Sequence, residues 1–296
     1  MVNYEFVIAG VRRGMRFSPN HVGNDEAIFS LTARELRKLG CRVNEYPEAV
    51  LKGEGVAEAF IFNMVRDKLS VRKLQTYEDE GRIVVNSAYG IRNCTREAMT
   101  RLLLANKIPH PLSLILPTDA DPLPALREAA LHDCWVKRGD FHAIHREDVT
   151  YVRNPHEAQS ILEEYALRGI ERAVINEHLR GDLVKFYGVS GTAFFHWFYP
   201  SCAHHSKFGL EQINGAARGI PFDADYLHTL CERAAEALGV QVYGGDCIVS
   251  GDGALCLIDF NDWPSFAPCR EEAAPYIAQR IYSLINKRCE IKTISV

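Results

Sequence analysis

The sequence predicts an α/β protein with an N-terminal parallel sheet, followed by an α+β region. Three observations lead there. Over about the first hundred residues, strand-like apolar runs alternate with helical runs, the pattern of parallel strands joined by crossover helices. From Leu112 the strands are shorter and the pattern is that of a small antiparallel α+β unit. Near the C-terminus, VYGGDCIV and ALCLIDFNDWPSF flank a Gly-Asp-Gly turn as two neighbouring strands.

Taken in order, YEFVIAGV is the first strand, followed by a helix over about residues 24–39 and the strands CRVNEY and AEAFIFN. A helical stretch then runs through Tyr77 to the strand RIVVN. Thr95 is placed to N-cap TREAMTRLLLANK, which ends at IPHP because proline cannot continue a helix. The second region has strands LSLIL, DCWVKRG and DVTYV, a helix over residues 155–167, then RAVINEHL, LVKFYGV and AFFHWFYP. A polar stretch over residues 201–221 precedes the amphipathic helix DADYLHTLCERAAEALG, the two C-terminal strands and the closing helix EEAAPYIAQRIYSLINK. These patterns predict three units, residues 1–92, 93–190 and 191–296.

With 296 residues, 47% of them hydrophobic, the chain can bury a substantial core. A formal charge of -4 gives no reason to expect a nucleic-acid partner, and no apolar run approaches the ~20 residues of a membrane helix. MVNYEFVIAGVRR reads as a first buried strand rather than a signal peptide. Nine cysteines, odd in number and without a C-x-x-C pair, point to a reduced, cytoplasmic setting. A small-molecule substrate is the expected partner; the sequence leaves the oligomeric state open.

The chemistry concentrates in a few places. Asp246 lies in one C-terminal strand and Asp259 and Asn261 in the other, where neighbouring strands can aim three oxygens at one point. Oxygen-only sets suit Mg²⁺ or Mn²⁺, and Mg²⁺ is commonly shared between carboxylates and nucleotide phosphates. The same acids also read as a turn cap and a satisfied core carboxylate. Lys137 ends the apolar strand CWVK beside a turn, where an ammonium can meet a phosphate or simply be solvated. In AVINEHLRGDLVK a polar link joins two strand patterns; it can offer backbone groups to an adenine edge and Asp182 to ribose hydroxyls, or be a plain hairpin loop. Lys185 adds a cation on one strand face.

In this order the pieces resemble the ATP-grasp superfamily over nearly the whole chain, from IPHP through Lys137 and INEHLRGD to GGDCIV and LIDFNDWPSF. The resemblance implies an ATP-grasp fold behind an N-terminal parallel-sheet domain, with ATP and Mg²⁺ (or Mn²⁺) as cofactors. It places the metal on Asp246, Asp259 and Asn261, ATP contacts on Lys137, a hinge at Asn176, Glu177, His178 and Leu179, and the ribose on Asp182. Lys185 would face phosphate or substrate, and Arg96 stands where the family usually has a lysine. Arg96, Lys137 and Lys185 are thereby the expected catalytic cations.

Three departures stand out. RGDFHAIHRED after Lys137 has one glycine where many members carry a glycine-rich phosphate loop, so cover is expected from backbone with His142, His145 or Arg138. Arg96 presents a planar fork in place of a point charge. The metal motif is Asp-x-Asn rather than the Glu-x-Asn of most ligase branches. For the acceptor, Arg12, Arg13, Arg16 and His21 lie in the loop after the first strand, and His196, His204, His205 and Lys207 form a second cluster that reads equally as a solvated loop. The INGAARG stretch is similar to glutamate-type ligases of the ribosomal-protein-modifying kind, which favours a carboxylate–amine ligase working through an acyl phosphate. Asp-x-Asn and the arginine-rich first loop favour the alternative, a kinase of the inositol-phosphate type. A non-catalytic ATP-binding protein is the third reading, opposed by the intact metal triad.

Overall fold

The computed structural model describes residues 6–17, 22–141, 145–200 and 213–294. Its first layer is a parallel sheet in the order β2-β1-β3-β4, from β1 (Val7–Val11), β2 (Arg42–Tyr46), β3 (Phe60–Asn63) and β4 (Ile83–Val85). Side chains alternate across these strands as the pleat requires. Ile8, Phe62 and Val85 face α1 (Val22–Lys38), whereas Ala9, Val11, Ile61 and Val84 face α2 (Glu48–Lys52), α3 (Lys68–Asp79) and α4 (Ala88–Asn93). The expected crossovers are present. The short α2 and α4 had no periodic signal of their own.

Helix α5 (Arg96–Ala105) leads to a second, antiparallel sheet in the order β5-β8-β6-β7: β5 (Ser113–Pro117), β6 (Cys134–Arg138), β7 (Val149–Val152) and β8 (Arg172–Glu177). Cys134, Val136, Ala173 and Ile175 pack outward against α6 (Leu123–Glu128) and α7 (Pro155–Leu167), so Trp135, Lys137 and Asn176 face the other way.

The third sheet runs β10-β9-β11-β12, from β9 (Asp182–Val189), β10 (Phe195–Phe198), β11 (Val242–Val249) and β12 (Leu255–Asp262). One face packs on α5 and α8 (Ala224–Leu238), which ends at the left-handed Gly239. β9 belongs to this sheet, so the second sheet's last strand ends at Glu177 and the third sheet's first begins at Asp182. The closing helix α9 (Arg270–Ile294) returns to the first layer, where Ala274, Ile277, Ala278 and Ile281 share a core with Ile28, Phe29 and Phe62. The C-terminal segment thus belongs to the N-terminal layer as much as to the unit in which the sequence placed it. Among the described residues no helix is long and apolar enough to cross a membrane.

Candidate active site

Between the second and third sheets lies a cleft of ≈ 290 Å³, and the register of the third sheet orders what lines it. Ile248 pairs with Leu183; Asp246 with Lys185 and Asp259; Gly244 with Tyr187 and Asn261. Residues two apart on a strand share a face, so these form three rungs roughly 6.6 Å apart. The first rung is apolar, the second charged and the third mixed.

A β-bulge makes this arrangement possible. The register of β11 against β12 shifts after Asp246: Asp246 opposes Asp259, but Cys247 opposes Leu257, so Ile258 is the extra residue. Without it, Leu255, Leu257, Asp259 and Asn261 would share one face. With it, Leu255 and Leu257 stay in the core with Phe260, while Asp259 and Asn261 line the cleft. The Ile258 carbonyl accepts a hydrogen bond of 3.2 Å from Lys137 Nζ.

Lys137 is buried, and loss of solvent, with Arg96 nearby, pulls its ammonium down to about 8. Arg96 comes from the first turn of α5, behind Thr95 at the N-cap. It is 5% exposed and its Nη2 lies 3.5 Å from Asp259 Oδ2, yet its Nε and Nη1 are buried without a hydrogen-bond partner among the described residues. Buried unpaired donors of a guanidinium are costly. Lys185 donates to Asp246 Oδ1 at 3.1 Å. The second rung is therefore a mixed-charge platform in which Lys185 meets Asp246, with Lys137 and Arg96 beside it in the cleft lining.

Several anticipated residues converge here: Arg96, Lys137, Asn176, Glu177, Leu179, Lys185, and the trio Asp246, Asp259 and Asn261. Among the described residues no three His, Cys, Asp or Glu side chains gather as a metal site; the candidate set is two carboxylates completed by an amide oxygen. That hard-oxygen chemistry fits Mg²⁺ or Mn²⁺, and the unpaired Arg96 donors fit the phosphates such a metal accompanies.

Other expected residues lie elsewhere. Asp182 does not line the cleft: it is 2% exposed and its carboxylate accepts from the backbone N–H groups of Arg218 (2.9 Å) and Ile220 (2.8 Å), fixing that segment. His178 turns to Trp135, whose indole N–H donates to its Nδ1 at 3.1 Å, and is not a lining residue. Arg12 pairs with Glu26 and Glu45, Arg16 with Asp67, and Arg13 with Asp25 (3.1 Å) while donating to the carbonyls of Met64 and Trp263. All three are committed to the protein itself. His196 lies on β10, away from the cleft lining, with its ring 5.8 Å from Phe198. Arg138 is held by Asp140 and Asp148, and His145 caps the turn at residues 146–148. His21, His142, His204, His205 and Lys207 lie outside the described residues.

Sequence reasoning missed Arg66, Trp135, Tyr187 and Asn214 in the lining. Asn214 lies in the INGAARG stretch, singled out only for its similarity; Trp135 is two residues before Lys137 on the same strand, so strand parity puts both on one face.

No family model and no curated protein matches the sequence. Solved structures do match the fold. The D-alanine–D-alanine ligase of Bacillus anthracis, complexed with ATP, superposes with a TM-score of 0.70 at 14% identity, covering 98% of this chain and 100% of that one. A RimK domain ATP-grasp protein from Sphaerobacter thermophilus gives 0.66 at 19% identity, over 93% and 99% of the two chains. The ATP-grasp ligase PsnB, complexed with a minimal precursor, gives 0.61 at 17% identity, over 93% and 98%. The chain has the ATP-grasp fold, with the parallel-sheet domain in front, and resembles the ligases of that superfamily.

Proposed function

We propose that this protein is an ATP- and Mg²⁺-dependent ligase that joins the carboxylate of a small anionic substrate to an amine through an acyl phosphate. The observation that carries the reading is the cleft in which Arg96, Lys137 and Lys185 meet Asp246, Asp259 and Asn261 between two antiparallel sheets. Similarity to ATP-grasp ligases supports it. The apolar rung, with Trp135 and the strand end at Asn176–Leu179, suits a nucleotide base; Lys137 and the spare donors of Arg96 suit its phosphates. Mg²⁺ on Asp246, Asp259 and Asn261 would neutralise charge on the phosphoryl group in transfer. The protein's own part is positioning and charge, with cations fixed before the reaction begins.

One feature favours a second reading. Asp259-Phe260-Asn261 carries Asp where most ligases carry Glu, which supports a kinase acting on a hydroxyl of a small anionic substrate. Incubation with Mg·ATP and pools of amino acids, short peptides and sugar or inositol phosphates, read by mass, separates the two. A new amide with inorganic phosphate released is the expected result; a product gaining one phosphoryl group makes the protein a kinase.

A further inference from the structure

The third rung has a cation that belongs to neither the nucleotide nor the metal. Arg66 follows β3 of the N-terminal sheet and lines the cleft beside Asn261, Gly244 and Pro264. Its side chain is 9% exposed. Nη2 donates to the Asp262 carbonyl at 3.2 Å and lies 3.5 Å from Asp262 Oδ1, whereas Nε is buried with no hydrogen-bond partner among the described residues. The backbone around it is fixed. Glu48 Oε1 accepts from the N–H groups of Arg66 (3.0 Å) and Asp67 (2.9 Å), while Oε2 accepts from Gly14 N–H (2.8 Å). A buried guanidinium on a clamped loop, with a donor left over, is prepared for an anion.

Its place decides which anion. From the apolar rung to the third rung is roughly 13 Å, two steps of two residues each, with the charged rung between. A nucleotide entering from the first rung meets Lys137 and Arg96 with its phosphates along the charged rung. Gly244 lets the Tyr187 ring and Pro264 close over the strand, since a Cβ there would come within 2.6 Å and 2.8 Å of them. The space by Arg66 is thus small, walled by a ring, a proline and an amide.

Resting on the nucleotide reading of the second rung, we infer that Arg66 is the substrate-positioning residue of this site and binds a carboxylate of the acceptor. The planar guanidinium of arginine suits a carboxylate, and Asp262 holds the group in place through Nη2. Arg12, Arg13 and Arg16, which pair with Glu26, Glu45, Asp25 and Asp67, are outside the cleft lining.

The test uses the full chain with Mg²⁺ and a non-hydrolysable ATP analogue, then adds amino acids and short peptides alongside their methyl esters, reading melting temperature and, with ATP, release of ADP. A nucleotide shift in the wild type establishes the second rung; its absence sinks the nucleotide reading itself. With nucleotide bound, the expected result is a further shift and faster ADP release with a free carboxylate and not with its ester. Arg66→Gln should keep the nucleotide shift and raise the acceptor KM at least tenfold, with Arg66→Lys between the two. Equal response to ester and acid, no carboxylate response with nucleotide bound, an unchanged KM in a folded Arg66→Gln, or loss of the nucleotide shift in that variant would each overturn the assignment.

Discussion

Lys137 and Asp259 show how single residues carry this site. Lys137 has lost most of its water, and its ammonium titrates at about 8 instead of 10.5. Between those values the unfolded chain binds more protons than the folded one, so stability rises with pH across pH 8 to 10.5 and the full penalty applies below pH 8. The difference corresponds to about 3 kcal/mol. Lys137→Met should therefore stabilise the nucleotide-free protein at pH 7, by up to that amount, and abolish the nucleotide-induced melting shift. Denaturant titrations of both proteins at pH 7 to 10 check it; a Met variant less stable at pH 7 would contradict the account. Asp259 can be tested more directly. Asp259→Asn keeps shape and removes charge, so the fold should persist while turnover falls by at least 10²-fold, the scale of losing one electrostatic contact to a transferring group. Retained turnover would remove Asp259 from the metal set. Residue chemistry of this kind was legible where an unusual type sat at a strand end, as with Lys137 and the Asp-x-Asn pair. It was illegible where partners come from elsewhere in the chain: the pairing of Arg12, Arg13 and Arg16 with Glu26, Asp25 and Asp67 leaves no mark in the sequence.

At the scale of elements, the strands and long helices followed from periodicity. The bulge at Ile258 did not, because one extra residue in a strand leaves no compositional mark, yet it turns both Asp259 and Asn261 from the core to the cleft. The rung that carries the charges depends on tight strand contact there. A Cβ on Gly245 would lie 2.2 Å from the Asp259 carbonyl oxygen, a backbone atom, and 2.6 Å from the Phe186 ring. Gly245→Ala must therefore push β11 from β12 beside the bulge. The expected cost is about 1–3 kcal/mol of stability, and turnover should fall further than the loss of folded protein explains, because Asp246 and Asp259 separate. Circular dichroism melts paired with activity per folded molecule test this; a variant matching wild type in both would show that the strand contact does not set the carboxylates. A second link on this scale is His110, between α5 and β12. Its Nδ1 lies 2.7 Å from the Leu257 carbonyl oxygen and its Nε2 3.2 Å from Thr100 Oγ1, and burial lowers its titration to about 4.

At the scale of the whole molecule, one buried amide adds to the shared core of α1 and α9 in joining the layers. Asn86, 1% exposed, follows β4; its Oδ1 accepts from the N–H groups of Gln241 and Val242 at 2.8 Å each, and its Nδ2 donates to the Val242 carbonyl at 2.7 Å. The side chain behaves as a short length of strand laid against the start of β11, joining the parallel sheet to the sheet that carries the carboxylates. Gly90 reinforces the contact, since a Cβ there would meet the Gly239 carbonyl oxygen at 2.3 Å. Sequence order placed these layers in separate units, and neither this joint nor the return of α9 to the first core was legible, because both are contacts across 150 residues or more. The consequence can be measured. Asn86→Ala removes three hydrogen bonds and takes the side-chain acceptor from the Gln241 and Val242 N–H groups, while the Val242 carbonyl keeps Trp263 N–H, which should cost about 2–4 kcal/mol. If the layers unfold as one unit, calorimetry should show a single transition moved down by several degrees. The Arg66 response to carboxylate should weaken as well, because Arg66 comes from the N-terminal layer and Asn261 from the sheet it must face. A variant melting with the wild type would mean that the shared core of α1 and α9, not Asn86, fixes the two layers.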